Sequence, residues 1–290
     1  MLIIPYDTET TGLPDWKNPS EAPHQPHLVE LAALLIDPLT LSVRDAFSAI
    51  IKPDGWTWDT DSEAFKAHGI TVEQAMDEGI PEAWALEQFL ALHGQADLRV
   101  GHNESFDARI LRIALKRYGM GPLTPTQEDR DGLADRFKEA PAYCTCNSAK
   151  PIVKLPPTPA MIKSGKKHWF KPPNLNEAHQ FFFGRPHEGA HRAMSDAEGC
   201  ARVYFAIVNP GRELPERLWP PVSKNGDVPD LTLSPNYDQT MQAERGGTPE
   251  PKLVPDPMAQ LAAGAMSAVN VGANIQGIDP DIGGGENPNY

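Results

Sequence analysis

The amino-acid sequence predicts an α/β protein whose mixed β-sheet is flanked by helices. Three apolar runs near the start of the chain, joined by short connections, predict three early strands. Helical patterns then alternate with a further short strand, which gives the order β-β-β-α-β-α. This order is typical of a mixed sheet covered by helices. The chain has 290 residues, 40% of them hydrophobic, which is enough for one large domain or two small ones.

The first three strands are predicted at residues 2–10, 27–36 and 43–51. Residues 2–10 begin as an apolar run and end in polar residues, as expected of a buried strand that reaches the edge of a sheet. Residues 27–36 are apolar except for the interior acid Glu30, which indicates a central strand. Because their connections are short, we expect the three strands to form an antiparallel meander.

Helices and two further short strands complete the first part of the chain. Thr71 and Gln74 fit a capping box, and Pro81 fits the first turn of the next helix. Six prolines in residues 150–173 argue against a regular helix or a central strand there. The predicted helices are residues 59–67, 71–78, 81–93, 102–118, 174–182 and 190–208, the predicted strands are residues 98–101 and 143–145, and residues 119–142 are predicted to be a loop with at most one helical turn.

The composition changes after residue 209. Residues 210–290 are rich in proline and glycine and poor in large apolar side chains, so we expect a mostly disordered tail. Residues 257–271 are rich in alanine and methionine, and a short helix that docks on a protein partner is the alternative. The sequence therefore predicts a domain at residues 1–209 followed by a low-complexity tail.

Cysteine usage and hydropathy indicate the compartment. The odd cysteine count, with Cys144, Cys146 and Cys200, argues against a disulfide framework and for a reducing, cytoplasmic setting. No stretch of about 18 apolar residues is present, so no membrane span is expected.

The charge distribution is uneven. A net charge of −13 argues globally against a nucleic-acid partner, because phosphate binding requires a basic surface. Residues 136–171, however, hold eight basic residues and one acid, Glu139. An acidic body with one basic segment fits an enzyme that concentrates negative charge at a metal site and binds an anionic substrate beside it.

Two acids follow the apolar run of the first strand. Asp7 and Glu9 are two residues apart, so strand geometry places them on the same face. Two carboxylates this close repel each other unless a cation or a proton lies between them. A divalent metal is the simplest explanation, and an ordinary strand end with solvated acids is the alternative.

Two further acids and a histidine occupy comparable positions. Asp107 lies at the start of a helix that follows a short strand. At this position it is either a residue of the active site or an acid that only interacts favourably with the helix dipole. Asp196 lies on the alanine-rich, inward face of the last helix, where an uncompensated carboxylate costs several kcal/mol. His191 is five residues earlier, about 140° around a helix, so it shares a site with Asp196 only from the preceding loop. A surface histidine is the alternative.

Four carboxylates and one histidine are chemically coherent as a group. Two Mg²⁺ or Mn²⁺ ions bind hard oxygen ligands and clamp a phosphodiester, one ion activating water and the other stabilising the leaving oxygen. Zinc fits less well, because Cys144 and Cys146 lack the spacing of a zinc knuckle.

Three segments resemble the exonuclease motifs of the DEDDh (DnaQ-like) 3′–5′ exonucleases. They are Asp7-Thr8-Glu9-Thr10-Thr11-Gly12-Leu13, His102-Asn103-Glu104-Ser105-Phe106-Asp107 and His191-Arg192-Ala193-Met194-Ser195-Asp196-Ala197. The order, spacing and local chemistry of the three segments agree with that family, and the resemblance covers residues 1–209. It implies a ribonuclease H-like fold with a five-stranded mixed sheet flanked by helices.

The resemblance also implies roles for individual residues. Asp7, Glu9 and Asp196 would hold the catalytic metal, and Asp7 would bridge to the second ion. Asp107 would complete the acidic set, partly through water, and His191 would deprotonate the attacking water.

By the same resemblance, the last two nucleotides of the substrate have defined neighbours. The backbone around Thr8, with Thr10, would hold the terminal nucleotide, and Leu13 would pack against its base. The path of the penultimate nucleotide would be lined by His102, Asn103 and Phe106. A core position at the start of a helix is the alternative for Phe106.

A basic, proline-rich insertion at about residues 136–173 departs from a minimal member of the family. Lys166 and Lys167 precede Trp169 and Phe170, so phosphate contacts and stacking surfaces alternate, as suits a single strand. The alternative is a solvated basic loop whose aromatic residues cap the core.

The sequence thus predicts a metal-dependent 3′–5′ exonuclease that releases 5′-mononucleotides from single-stranded ends. DNA is favoured over RNA because the basic insertion suits longer single strands. The alternatives are an exoribonuclease, a proofreading or repair subunit that binds a polymerase through residues 211–290, and a non-catalytic nucleic-acid-binding module.

Overall fold

The computed structural model describes residues 1–215 and Leu218, which form an α/β fold. The strands are β1 (Ile3–Thr10), β2 (Leu28–Asp37), β3 (Ser42–Ile50), β4 (Leu98–Gly101) and β5 (Ala142–Cys144). The α-helices are α1 (Glu63–His68), α2 (Val72–Glu78), α3 (Glu82–His93), α4 (Glu104–Tyr118), α5 (Gln127–Glu139), α6 (Thr145–Val153), α7 (Pro159–Lys163), α8 (Leu175–Phe183) and α9 (Ala193–Val208).

The five strands form one mixed sheet in the order β3-β2-β1-β4-β5. The first three strands pair antiparallel, which confirms the predicted meander. Strand β4 pairs parallel with β1, and β5 pairs parallel with β4. The predicted mixed five-stranded sheet flanked by helices is therefore confirmed.

Both faces of the sheet are buried. On one face, Tyr6 packs with Phe89 of α3 and Phe137 of α5, with ring centroids 5.6 and 6.5 Å away. On the other face, β1 contributes Ile3 to a cluster that includes Phe205 of α9. Burial of these aromatic and aliphatic side chains is the main favourable term in such a fold.

The alternation of β1 determines where its polar residues go. Ile4 and Tyr6 belong to the core cluster beneath α3, α4 and α5. Asp7 and Glu9 therefore face the opposite side, towards α9, since successive strand residues alternate between faces. Glu9 lies directly opposite Glu30 of the neighbouring strand β2.

Two parts of the secondary-structure prediction are wrong. Residues 119–142, predicted as a loop, contain the 13-residue helix α5, whose N-terminus is closed by a capping box of Thr126 and Asp129. Helix α6 extends to Val153 with Pro151 inside it, although prolines were expected to exclude a helix from residue 150 onwards. Pro151 is tolerated because it lies near the end of a short helix and removes few intrahelical hydrogen bonds.

Most of the predicted tail lies outside the described residues, as do the docking helix considered at residues 257–271 and the proposed protein partner. Residues 210–215 and Leu218 are described, and Leu218 is buried in the cluster that includes Phe205. Within residues 1–215, no helix is long and apolar enough to cross a membrane.

Candidate active site

A cleft opens where β1, the start of α4 and the start of α9 meet. Strand β1 contributes its polar end, the turn after β4 contributes the first residues of α4, and the loop before α9 contributes the third wall. The residues that line it are Asp7, Thr8, Glu9, His102, Asn103, Phe106, Asp107, Asn174, Leu175, His191 and Asp196. The structure thus brings together all four acids and the histidine that the motifs predicted.

Asp7 and Glu9 are held in a low-dielectric, negatively charged environment. Glu9 is 5% exposed, and its pKa is raised to about 9, first by burial and then by the charges of Asp196 and Glu30. Burial also raises the pKa of Asp7 well above its usual range, with Asp107 and Asp196 adding to the shift. Carboxylates placed so close together favour binding of either a proton or a cation.

Asp107 is fixed by β1. Its carboxylate oxygen Oδ1 accepts hydrogen bonds from the backbone N–H and the hydroxyl of Thr8, at 3.1 and 2.7 Å. Burial nevertheless raises the pKa of Asp107 to about 8, although the Thr8 hydrogen bonds oppose the shift. Thr8 therefore orients an acid of the next motif.

The start of α4 is positioned by a buried polar network. Glu104 accepts hydrogen bonds from the Tyr6 hydroxyl at 3.0 Å and from Arg99 Nε at 2.6 Å. Arg99 also donates to the Phe137 carbonyl. Gly101 is required beside this network, because a Cβ there would lie 2.8 Å from Glu104 Cα. These contacts fix the turn that carries Asp107 into the cleft.

Asp196 lies in the first turn of α9, and both its carboxylate oxygens have donors. The backbone N–H of His191 donates to Oδ2 at 2.9 Å. His187 Nε2 lies 2.7 Å from Oδ1. His191 lies on the loop before α9 with a φ of 67°, and its exposed side chain lines the cleft. This loop position is the one that lets His191 and Asp196 share a site.

Glu30 anchors α9, a role that sequence reasoning missed. Its buried carboxylate accepts hydrogen bonds from Arg192, at 2.8 Å from Nη2, and from the backbone N–H of Ala193 at 2.9 Å. The pairing joins β2 to the first residue of α9 and so sets the position of Asp196. The available signal was an acid inside an apolar strand, but its partner lies 162 residues away in sequence.

His102 links the cleft to the start of α6 and to the segment before α8. Its Nε2 lies 3.0 Å from the Pro173 carbonyl and its Nδ1 lies 2.9 Å from the Thr145 hydroxyl. Because a carbonyl only accepts, Nε2 carries the proton and Nδ1 accepts from Thr145. Burial lowers the pKa of His102 to about 4, so the ring is neutral near pH 7 and both its nitrogens are engaged.

The donor set fits a divalent metal. One ligand atom from each of Glu9, His191 and Asp196 lies within 4.8 Å of the others. Asp7, on the same face of β1 as Glu9, lines the same cleft. Oxygen ligands of this kind suit hard cations such as Mg²⁺ and Mn²⁺.

Five of the predicted substrate residues lie outside the lining of the cleft. Thr10 is buried, and its hydroxyl donates to the Gly12 carbonyl at 2.8 Å. Leu13 is 51% exposed on the loop after β1. Lys166, Lys167 and Trp169 are exposed on the segment between α7 and α8. Of the predicted substrate residues, Thr8, His102, Asn103 and Phe106 line the cleft.

The fold and the acids at the end of β1 define a nuclease of the ribonuclease H-like, DEDDh type. The family model described as Exonuclease, of the RNase T type, matches residues 4–204. The chain therefore belongs to this exonuclease family, whose members use divalent metal ions. The resemblance carried by the three motifs is confirmed.

Solved structures with a similar fold include two exonucleases. Escherichia coli exonuclease I in complex with a dT13 oligonucleotide shares 17% identity at a TM-score of 0.50, over 73% of this chain and 41% of that chain. The nuclease domain of 3′hExo, a DEDDh family member bound to rAMP, shares 18% identity at a TM-score of 0.45, over 74% of this chain and 94% of that chain. The match thus spans less than half the length of exonuclease I. A sequence comparison with curated proteins finds no match.

Proposed function

We propose that the protein hydrolyses single-stranded DNA from its 3′ end and releases 5′-mononucleotides, with two Mg²⁺ or Mn²⁺ ions as cofactors. The observation that carries the proposal is the convergence of four carboxylates and His191 on one cleft. Membership in the exonuclease family supports the reaction class and its direction.

The acids hold the cofactor. Asp7, Glu9 and Asp196 are its ligands, and Asp107 completes the set while Thr8 fixes its orientation. When bound, the ions supply Lewis-acid activation of water and stabilise the developing charge on the leaving oxygen. Placing the carboxylates on a strand and two helix starts keeps them in position, because these elements are anchored in the core.

His191 is the general base for the attacking water. The oxygen of a water molecule attacks the phosphorus, the bond from phosphorus to the 3′ oxygen of the upstream nucleotide breaks, and the 3′ oxygen takes a proton from solvent. His191 accepts the proton that the water loses and passes it to solvent. Its exposed position on the loop before α9 suits this exchange with solvent.

DNA is the proposed substrate because the basic aromatic segment offers phosphate contacts and stacking along a single strand. A digestion panel of single- and double-stranded DNA and RNA, each labelled at either end, tests this choice. We expect mononucleotides to be released fastest from the 3′ end of single-stranded DNA. Faster release from RNA would replace the proposal with an exoribonuclease.

Asp7→Asn tests the site with little change in shape. We expect it to abolish metal-dependent release of mononucleotides, because the amide is neutral and a poor ligand for Mg²⁺. The matched control is Asp77→Asn, on the exposed face of α2, which should leave the rate unchanged. Activity of Asp7→Asn within a few-fold of wild type would refute the assignment.

A further inference from the structure

We infer that residues 155–171 form a binding surface for the DNA strand upstream of its 3′ end. This surface is separate from the cleft in which the strand is hydrolysed. This basic loop, as we call residues 155–171, is closed at its base by a bridge between Leu155 and Lys171, whose N–H donates to the Leu155 carbonyl at 3.0 Å. The inference rests on the proposed function and specifies how a long substrate is held.

The basic loop is a defined structure. Thr158 caps α7 by accepting from the Met161 N–H at 3.2 Å. The chain then reverses at Gly165, which has a φ of 83°, and the Lys166 N–H donates to the Met161 carbonyl at 2.8 Å. Because these contacts order the backbone, binding loses less conformational entropy than binding to an unstructured loop.

Its charge suits a polyanion. Residues 150–173 contain six lysines and no acid, in a chain whose net charge is −13. Lys171 is paired with Glu177, with Nζ 2.6 Å from Oε1. Lys163, Lys166 and Lys167 are all exposed, and none of them pairs with an acid within residues 1–215. Phosphates of a bound strand are the natural partners of such lysines.

The basic loop also exposes flat apolar surface. Trp169 is 58% exposed and Phe170 is 39% exposed. Lys150 Nζ lies 5.3 Å from the centre of the Trp169 ring, a cation–π contact that holds the ring at the surface. Lysines beside an exposed aromatic ring match the features of single-strand binding sites, where bases stack while the backbone follows positive charge.

The base of the basic loop is connected to the cleft. Pro173 accepts hydrogen bonds from His102 and from Cys146 Sγ, at 3.0 and 3.3 Å. Asn174, the next residue, lines the cleft. Asn174 is three residues after Lys171, so the two Cα atoms are at most about 11 Å apart. A strand whose end lies in the cleft therefore has the basic loop close to its upstream nucleotides.

The test measures DNA binding without cleavage. Asp7→Asn protein in EDTA is titrated with a labelled single strand of about 16 nucleotides, across a range of salt concentrations. Replacing Lys163, Lys166 and Lys167 with alanine should weaken binding and reduce the slope of log K against log salt by about 2, or about 0.7 per lost phosphate contact. Trp169→Ala should weaken binding between about 5- and 150-fold, the loss of one stacked base.

The matched control replaces three exposed lysines outside the basic loop. They are Lys52, Lys66 and Lys138. Equal losses in the two triple variants would overturn the inference, because they would reflect net charge alone. So would an unchanged affinity in the first triple variant.

Cleavage separates this inference from the proposed function. In the active protein, the triple variant of the basic loop should raise KM for the long strand and leave hydrolysis of a dinucleotide unchanged. An equal rise in KM for the long strand and for the dinucleotide would overturn the inference. Failure of the proposed function has a different signature, since Asp7→Asn would then keep its activity on either substrate.

A different observation carries a second inference: the geometry points to His187 as a positioning residue for Asp196. The His187 side chain is 6% exposed and does not line the cleft, yet its Nε2 lies 2.7 Å from Asp196 Oδ1. Since the carboxylate accepts, the imidazole N–H donates and fixes the rotamer of Asp196. Hydrogen-bond partners of metal ligands commonly act in this way.

His187 is itself tightly held. Its backbone N–H donates to Asn176 Oδ1 at 2.8 Å, and its ring lies against His179 with centroids 4.8 Å apart. Gly199 makes room for the ring, because a Cβ there would lie 2.7 Å from His187 Cε1. Helices α8 and α9 therefore clamp the ring behind the metal ligand.

Calorimetric titration with Mn²⁺, without substrate, tests this role. We expect His187→Leu to raise the Kd for Mn²⁺ by about 10- to 100-fold and His187→Gln to recover part of the loss, because the glutamine amide also donates. Gly199→Ala, which pushes the ring away, should weaken Mn²⁺ binding as well. A folded His187→Leu protein with the wild-type Kd, or a glutamine variant no better than leucine, would overturn the inference.

Discussion

Glu9→Gln should stabilise the metal-free protein while removing its activity. Glu9 is 5% exposed, and its pKa is raised to about 9 by burial and by neighbouring acids. In the unfolded chain the pKa is about 4.5. Between these values the folded protein binds a proton that the unfolded chain does not, so the free energy of unfolding falls as the pH rises from about 4.5 to about 9.

The size of the effect at pH 7 depends chiefly on the unfolded pKa. Because the pKa of Glu9 in the folded protein lies above 7, the free energy of unfolding falls by about 1.36 kcal/mol for each of the 2.5 pH units between 4.5 and 7. The loss of stability at pH 7 is therefore about 3 kcal/mol. Glutamine has nearly the same shape and no charge to bury. In EDTA at pH 7, the variant should therefore be more stable by about 3 kcal/mol, and the difference should vanish near pH 4.

Urea unfolding in EDTA at pH 4 and pH 7 measures the difference. Glu128→Gln, at an exposed position of α5, is the control and should change neither value appreciably. Added Mn²⁺ should raise the melting temperature of wild type more than that of Glu9→Gln, because the glutamine is a weaker ligand. The reasoning would be refuted if Glu9→Gln were no more stable than wild type at pH 7, or if it were stabilised equally at pH 4 and pH 7.

Two further substitutions test the surroundings of the site. Glu82 is buried with no hydrogen-bond partner among the described residues, and burial raises its pKa to about 8. Glu82→Gln should thus raise the free energy of unfolding, and the rise should be about 3 kcal/mol larger at pH 7 than at pH 4. Urea unfolding at the two pH values measures this difference, and the activity should be unchanged. Gly101→Ala should destabilise the protein by about 1–3 kcal/mol and slow cleavage, because its Cβ would lie 2.8 Å from the Glu104 backbone. Gly132→Ala, inside α5 with Arg136 Nη1 3.4 Å away, is its control and should stabilise the protein by about 0.5–1 kcal/mol.

The sequence predicts those features that depend on local periodicity. The apolar run before Asp7 and Glu9 identifies β1, and the polar residues at its end mark the cleft. Helix α5 was missed because few of its residues are apolar, and only Leu133, Ala134 and Phe137 are buried. The capping box of Thr126 and Asp129 was its one clear local signal.

Long-range contacts at the site are not predictable from local pattern. Glu30 is conspicuous as an acid in an apolar strand, but nothing near it indicates Arg192 as its partner. The motif implies that the backbone around Thr8 contacts the terminal nucleotide. In the structure the hydroxyl and the N–H of Thr8 donate hydrogen bonds to Asp107. Such pairings depend on the packing of β1 and β2 against α4 and α9.

The loop between α8 and α9 places two histidines in different environments. The His187 side chain is 6% exposed, its Nε2 lies 2.7 Å from Asp196 Oδ1, and its ring packs against His179 of α8, so its position is fixed. His191, four residues later, is exposed and turns towards the cleft through a left-handed backbone conformation. Under the proposed function, exchanging the two environments would leave Asp196 without a fixed donor and the attacking water without a solvent-exposed base. If the two histidines have the proposed roles, their spacing around this turn matters to the site as well as their identity.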